Sequence, residues 1–349
     1  MKNKLIKSQD GKLEVRYDEV THVCICLSIY ALLQYVLLME EDVVKNHTCY
    51  FMSGHIRDTV SEKLPTIKLN QGEGVKRRVY KILRNFFSRI KYPFINKATI
   101  YAQDHGFLIP IIGNNHYSLL SDGPRFLTYT HSIDTYIRTD NKRHTLRGFL
   151  EKILFGEITL YPMARGNQCD KIFLTEKEDA EVCYNKPVQV NSLSQLWDAS
   201  SLSKKQFILS LFDISDGDMA FLKSRPLMFM SQPIMEDYGL NKSEYVSLLS
   251  AIFSRYDQHS LIVKTHPRDE FQYQKYFPDV IVFEKPINIQ LLVLCDICPR
   301  KAITICSSSV ESFPDNTEVD WYGVDCHPKI QAHYVTPIEP NRHYNKITM

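Results

Sequence analysis

The chain has no surplus of charge of either sign. Its 349 residues carry 42 Lys and Arg against 40 Asp and Glu, a formal charge of +2, which excludes a basic chain dedicated to nucleic acid. Glycine is scarce, at 13 residues, so the periodic glycine of a collagen-like fibre is missing. Hydrophobic residues make up 44% and aromatics 11% of the chain, too much apolar surface for a protein that stays disordered. An unbroken membrane-spanning run is also missing. The nearest approach, residues 23–39, carries no charge but is interrupted by Ser28 and Gln34. It changes character midway, from the β-rich VCICL to helical spacing of Ile29, Leu32, Leu33, Val36 and Leu37, and no basic n-region precedes it. It reads as a buried parallel strand turning into the first helix of an α/β domain.

Nine cysteines at irregular positions fit a reducing compartment better than a disulfide framework, so the chain reads as cytoplasmic. Cys24-x-Cys26 and Cys295-x-x-Cys298 lack a second Cys or His pair at finger-like spacing. They read as small buried hydrophobes, and no metal site is expected.

At about 150 residues per domain, the length suggests two domains. Short apolar runs at 49–52, 98–102, 116–120 and 172–174 are strand candidates, and 146–154 is a helix candidate. Residues 75–90 have helical spacing of Val75, Val79, Ile82, Leu83, Phe86, Phe87 and Ile90. The other face is basic, with Lys76, Arg77, Arg78, Lys81, Arg84 and Arg89 and no acid between Glu73 and Asp104. Such a face is solvated, a foothold on an anionic membrane, or a contact for nucleic acid, for which no recognisable binding motif accompanies the charge. The Ser-, Gln- and Asn-rich stretch 186–205 marks the inter-domain region, giving domains 1–200 and 201–349.

The second half restarts the alternation. Strand candidates are 226–230, 260–264, 280–283 and 302–306, and helix candidates are 243–255, with Glu244 three after Asn241 as in a capping box, and 289–295. Alternation implies parallel sheets, which place ligands at the carboxyl ends of their strands. Three polar clusters fall at such ends: Asp122 in Ser121-Asp122-Gly123, His266 in Thr265-His266-Pro267, and Ser307-Ser308-Ser309. Asp216-Gly217-Asp218 imitates a metal-binding Asp-x-Asp, but it does not follow a hydrophobic strand and reads as a surface turn.

The order Lys264-Thr265-His266-Pro267-Arg268, Phe283 to Pro286, Ile289-Gln290-Leu291-Leu292 and Cys306-Ser307-Ser308-Ser309 resembles the donor-binding half of bacterial sialyltransferases of glycosyltransferase family 52 and the related polysialyltransferases. Ser231-Gln232-Pro233 resembles the start of their second domain. Ser121-Asp122-Gly123 matches their acidic-acidic-Gly motif, with Ser121 replacing the first acid. The resemblance implies the GT-B fold, two Rossmann-like domains facing across a cleft, working without a metal cofactor. The last residues would pack back on the first domain.

It further implies an inverting transfer of sialic acid from CMP-sialic acid to a terminal galactose, α-2,3-linked, on a surface glycan or its lipid-linked precursor. The place would be the cytoplasm or the inner face of the inner membrane, which Lys76, Arg77, Arg78, Lys81 and Arg84 would meet. A sugar hydroxyl is a poor nucleophile, and Asp122 would accept its proton. His266 would support the departing phosphate, and Ser307, Ser308 and Ser309 would hold it. Pro267, Lys264 and Arg268 would line the donor side. Gln290, a neutral group, stands where the family places a carboxylate on the ribose hydroxyls. That departure keeps open another nucleotide sugar or an α-2,8 polysialyl product. A non-enzymatic module binding anionic surfaces is a further alternative, and it leaves the second-half motifs without a purpose.

Overall fold

In a computed structural model the described residues are 4–53, 56–68, 83, 87–105, 108–124, 127, 145–177, 186–266, 268–285, 287–334, 339–340 and 342–349. The chain divides into two compact units, Met1–Leu211 and Phe212–Met349.

The first unit opens with an antiparallel hairpin of β1 (Leu5–Lys7) and β2 (Glu14–Arg16). A seven-stranded sheet follows, built from β3 (His22–Cys26), β4 (Thr48–Met52), β5 (Thr66–Lys68), β6 (Thr99–Ala102), β7 (Tyr117–Leu120), β8 (Cys169–Leu174) and β9 (Val188–Val190). Its order is β5-β4-β3-β6-β7-β8-β9 and every pairing is parallel. Central β3 has neighbours on both sides and is apolar on both faces, as VCICL requires; Val23 to Cys26 are all 0% exposed. The following helix, Ile29–Leu38, is capped by Ser28, whose Oγ accepts from the Ala31 N–H at 3.2 Å. Nine of its ten residues are buried, so the apolar run 23–39 serves the core. Among the described residues no helix is long and apolar enough to cross a membrane.

The second unit carries β10 (Leu227–Met230), β11 (Leu261–Lys264), β12 (Ile281–Phe283), β13 (Lys301–Thr304), β14 (Glu318–Trp321) and β15 (Asn345–Lys346). Their order is β12-β11-β10-β13-β14-β15, again all parallel. The helix Lys242–Phe253 starts with the capping box read from Asn241 and Glu244. Each sheet reverses its strand order once, between β3 and β6 and between β10 and β13. These are the switch points where open parallel sheets leave a crevice.

Several elements differ from the sequence reading. Residues 186–205 are not a linker: they hold β9, the helix Leu193–Ala199 and the start of the helix Leu202–Leu211, all in the first unit. Lys204 explains the attachment. It is 9% exposed, and its ammonium donates to the Leu37 and Met39 carbonyls at 2.7 and 2.8 Å, capping the C-terminus of Ile29–Leu38 with a positive charge. Asp216 and Asp218 begin the helix Asp216–Lys223, where Ser215 and Asp218 form a capping box and Asp218 also pairs with Lys285. That is helix-start chemistry, not a loose turn. The chain's last strand, β15, extends the second unit's sheet beside β14. Within 75–90, Leu83, Phe87 and Ile90 are helical and exposed. Lys76, Arg77, Arg78, Lys81 and Arg84 lie outside the described residues.

The Lys204 cap makes a prediction. Lys204→Met should lower the stability of the first unit by roughly 1.5–3 kcal/mol, the worth of hydrogen bonds from a charged donor, read as a shift of its urea-unfolding midpoint. An unchanged midpoint would contradict the capping role.

Candidate active site

In the first unit the site is built where β3, β6 and β7 end. Gln103, the residue after β6, reaches across the switch point. Its Oε1 accepts from the Leu27 and Ser28 N–H groups at 2.5 and 3.0 Å, which have left the sheet and would otherwise lack partners. Its Nε2 donates to Ser28 Oγ at 3.2 Å and to Asp122 Oδ1. His105 Nε2 lies 3.4 Å from Asp122 Oδ2. Asp122 therefore sits at a strand end among Ser28, Gln103 and His105. Burial opposes its ionisation, but the hydrogen bonds and charge of His105, with Ser28 and Gln103, outweigh burial and hold its pKa below the ordinary value. For His105 burial favours the neutral ring, yet Asp122, with Asp104 behind it, raises its pKa. The two shifts agree on a carboxylate–imidazolium pair. Asp104 is fully buried and accepts from Tyr117 Oη at 2.5 Å and the Ala164 N–H at 2.7 Å, which anchors the segment carrying His105.

Ser121 is 1% exposed and donates to the Phe173 carbonyl at 3.1 Å, while its N–H donates to Gln34 Oε1 at 2.9 Å. A carboxylate there would face a carbonyl oxygen without a proton to give, so Ser suits this position and Asp122 stands as the motif's one acid.

In the second unit the donor-side motifs gather at the ends of β10, β11 and β13. The His266 N–H donates to Ser231 Oγ at 2.9 Å, and His266 Nδ1 accepts from the Arg268 N–H at 3.1 Å. With Nδ1 accepting, the neutral ring carries its proton on Nε2, which makes Nε2–H the donor. Gln232 Oε1 accepts from the Cys306 N–H at 3.0 Å, tying the end of β10 to the start of the serine cluster. Ser307 Oγ bonds Ser309 Oγ at 2.6 Å, and the Ser307 N–H donates to Thr304 Oγ1 at 3.1 Å. Ser307 precedes a 3₁₀ turn, Ser308–Ser312, and Ser308 and Ser309 open it, so the cluster starts one short turn rather than a long helix with a strong dipole. Gln290 Nε2 donates to Ser312 Oγ at 2.6 Å and joins the helix Ile289–Leu294 to that turn.

The two cations of the motif are already engaged. Lys264 is 5% exposed with its ammonium on the Thr265 carbonyl at 2.8 Å. Arg268 makes a two-pronged pair with Asp237 at 2.8 and 2.9 Å. Pro267 lies outside the described residues. Sequence reasoning missed Ser28, Gln103, His105 and Asp104. The signal was available in Gln103-Asp104-His105, a polar triplet directly after an apolar strand.

The geometry can do two things. A strand-end carboxylate held ionised can accept a hydroxyl proton, and an imidazole Nε2–H can donate a hydrogen bond to an anion.

The His105–Asp122 pair has a pH signature. The low pKa of Asp122 stabilises the fold above about 3.8, and the raised pKa of His105 does so below 6.5, fading as pH climbs through its folded value. The thermal stability gap between wild type and His105→Gln should be widest between those values and narrow above 6.5. A gap independent of pH would contradict the pair.

Comparison with known proteins gives the fold class and the family. A protein of Haemophilus influenzae strain KW20/Rd, described only as uncharacterized, is 31% identical over 164 residues, 47% of this chain and 53% of that one. The chain thus spans about half the length of the relative it matches. The crystal structure of a 2,6-sialyltransferase of Photobacterium sp. JT-ISH-224, in complex with CMP and lactose, is similar in fold, with a TM-score of 0.55 at 9% identity, covering 86% of this chain and 71% of that one. The two parallel α/β units are those of the GT-B class. The family model for glycosyltransferase family 52 matches residues 35–329, and the chain belongs to that family.

Proposed function

We propose that this protein is an inverting sialyltransferase that moves sialic acid from CMP-sialic acid to a terminal galactose of a bacterial surface glycan or its lipid-linked precursor, forming an α-2,3 bond. The observation that carries the reading is the Asp122 carboxylate, held ionised at a strand end by Gln103 and His105, in a family 52 chain whose other unit presents His266 with its proton on Nε2. The bond from the anomeric carbon to the CMP phosphate oxygen breaks as the acceptor oxygen attacks from the opposite face. The hydroxyl proton passes to Asp122, and the electron pair of the broken bond stays on CMP. A weakly basic carboxylate suffices because the attacking oxygen becomes acidic as its new bond forms. His266 Nε2–H donates to the phosphate as negative charge builds, and Ser307, Ser308 and Ser309 supply hydroxyls around it. Gln290 takes a ribose hydroxyl as a neutral partner. Arg268 acts through position, because its charge is paired with Asp237, while Lys264, held on the Thr265 carbonyl, keeps its positive charge beside the donor motifs. This set of groups needs no metal cofactor.

A cytoplasmic chain acting peripherally on a membrane-held acceptor is part of the same reading. The helix Leu146–Phe155 turns Leu146, Phe149, Leu150, Ile153 and Leu154 outward, 46–76% exposed. That spacing of i, i+3, i+4, i+7 and i+8 is a continuous apolar stripe. At roughly 1.5–3 kcal/mol per large side chain fully buried, even partial insertion is worth several kcal/mol. The acid-free sequence 75–90, with Lys76, Arg77, Arg78, Lys81 and Arg84, adds attraction to anionic lipid.

Two measurements test this. Incubation of the full chain with CMP-sialic acid, lactose and EDTA should yield sialyllactose, and Asp122→Asn or His266→Gln should each cut kcat by about 10²–10⁴-fold. No product over a panel of galactose-terminated acceptors would refute the activity, and undiminished turnover in either variant would refute that residue's role. In flotation assays the protein should bind vesicles containing anionic phospholipid, and Phe149→Glu/Ile153→Glu should weaken binding at least ~10-fold. A face that instead governs a monomer–dimer equilibrium, with no vesicle binding, would refute the membrane contact.

A further inference from the structure

The opposite end of the second sheet carries a feature the transfer reaction does not use. Residues that precede three adjacent strands, Pro226 before β10, Arg300 before β13 and Thr317 before β14, surround an open hollow of about 530 Å³. Lys223, Arg225 and Arg300 line it, together with Ser224 and Asn316, and its lining contains no carboxylate. Among the described residues none of these three cations has an acidic partner, although neighbouring Lys301 pairs with Glu318 and Asp320.

The hollow is held in shape. Arg225 donates through Nη1 to the His259 carbonyl at 3.0 Å and stacks on Phe221 at 5.1 Å, while its Nε is buried without a hydrogen-bond partner. The opposite wall is pinned by Arg342, whose guanidinium donates to the Val310, Phe313, Pro314 and Thr317 carbonyls. Three cations converging on a fixed, acid-free concavity create a positive potential that an oxyanion would relieve. A four-residue strand at 3.3 Å per residue puts about 13 Å between the two ends of this sheet. His266 and the serines follow the carboxyl ends of their strands, so the hollow is separate from the donor motifs.

We propose that this hollow is a binding site for a phosphate-type dianion, free or esterified to a small sugar. Its volume lies in the range of small-molecule sites and exceeds the need of a bare ion.

The test is calorimetric titration of the full chain at constant ionic strength with inorganic phosphate and, separately, with a hexose 6-phosphate. Lys223 and Arg300 are exposed, so Lys223→Gln/Arg300→Gln should leave the fold intact, as checked by an unchanged melting temperature. Wild type should bind at least one of the two probes, and the double variant should bind it at least ~10-fold more weakly. Tighter binding of the sugar phosphate identifies an ester site, and tighter binding of inorganic phosphate a free-anion site. Absence of binding by wild type, or equal binding by the double variant, would overturn the assignment. Neither result bears on the sialyl transfer reaction.

Discussion

The switch point of a parallel sheet creates a problem that glutamine side chains solve in both units. Where neighbouring strands diverge, backbone N–H groups leave the ladder and need new acceptors inside a buried environment. Gln103 supplies one to Leu27 and Ser28, and Gln232 supplies one to Cys306. Gln34 does similar work between β7 and β8, accepting from Ser121 and donating to Phe173. An amide is suited to this because it accepts and donates at once without bringing a charge. In the first unit the spare donor of Gln103 is what fixes Asp122. The same side chain thus closes the crevice backbone and aims the carboxylate within it.

That economy shapes the electrostatics. Asp122 has no neighbouring acid to raise its pKa, since Ser121 is turned to the Phe173 carbonyl, and His105 draws it down instead. As a general base in the proposed transfer, a carboxylate held low in this way would be ionised but weak. Such a group suits a reaction whose nucleophile gives up its proton late. In the second unit, the Arg268 N–H fixes the His266 tautomer through the backbone, leaving the Arg268 side chain to lock the motif loop onto Asp237.

Much of this was legible in the residues. The apolar blocks VCICL, LIVK and AIT announced central parallel strands, and Asn241 with Glu244 announced a helix start, because burial and capping are local and periodic. Asp122, His266 and the serines were found by their place after strands. The cradle of Asp122 was not, because Ser28, Gln103 and Asp122 come together only through strand order, across 75 and 19 residues of sequence. The extent of the first unit was hidden for a similar reason. Residues 186–205 look like a linker by composition, and one buried ammonium, Lys204, makes them part of the core edge. The outward stripe of Leu146–Phe155 was invisible to periodicity, which marks an apolar face without saying what covers it.

The central claim is that Asp122 meets the acceptor while His266 and the serines meet the nucleotide. A crystal structure of the full chain with CMP and lactose tests it most directly. The account predicts the CMP phosphate within hydrogen-bond distance of His266 Nε2 and the hydroxyls of Ser307 to Ser309, and a galactose hydroxyl on the Asp122 carboxylate. Galactose bound away from Asp122, or CMP bound away from His266, would contradict it.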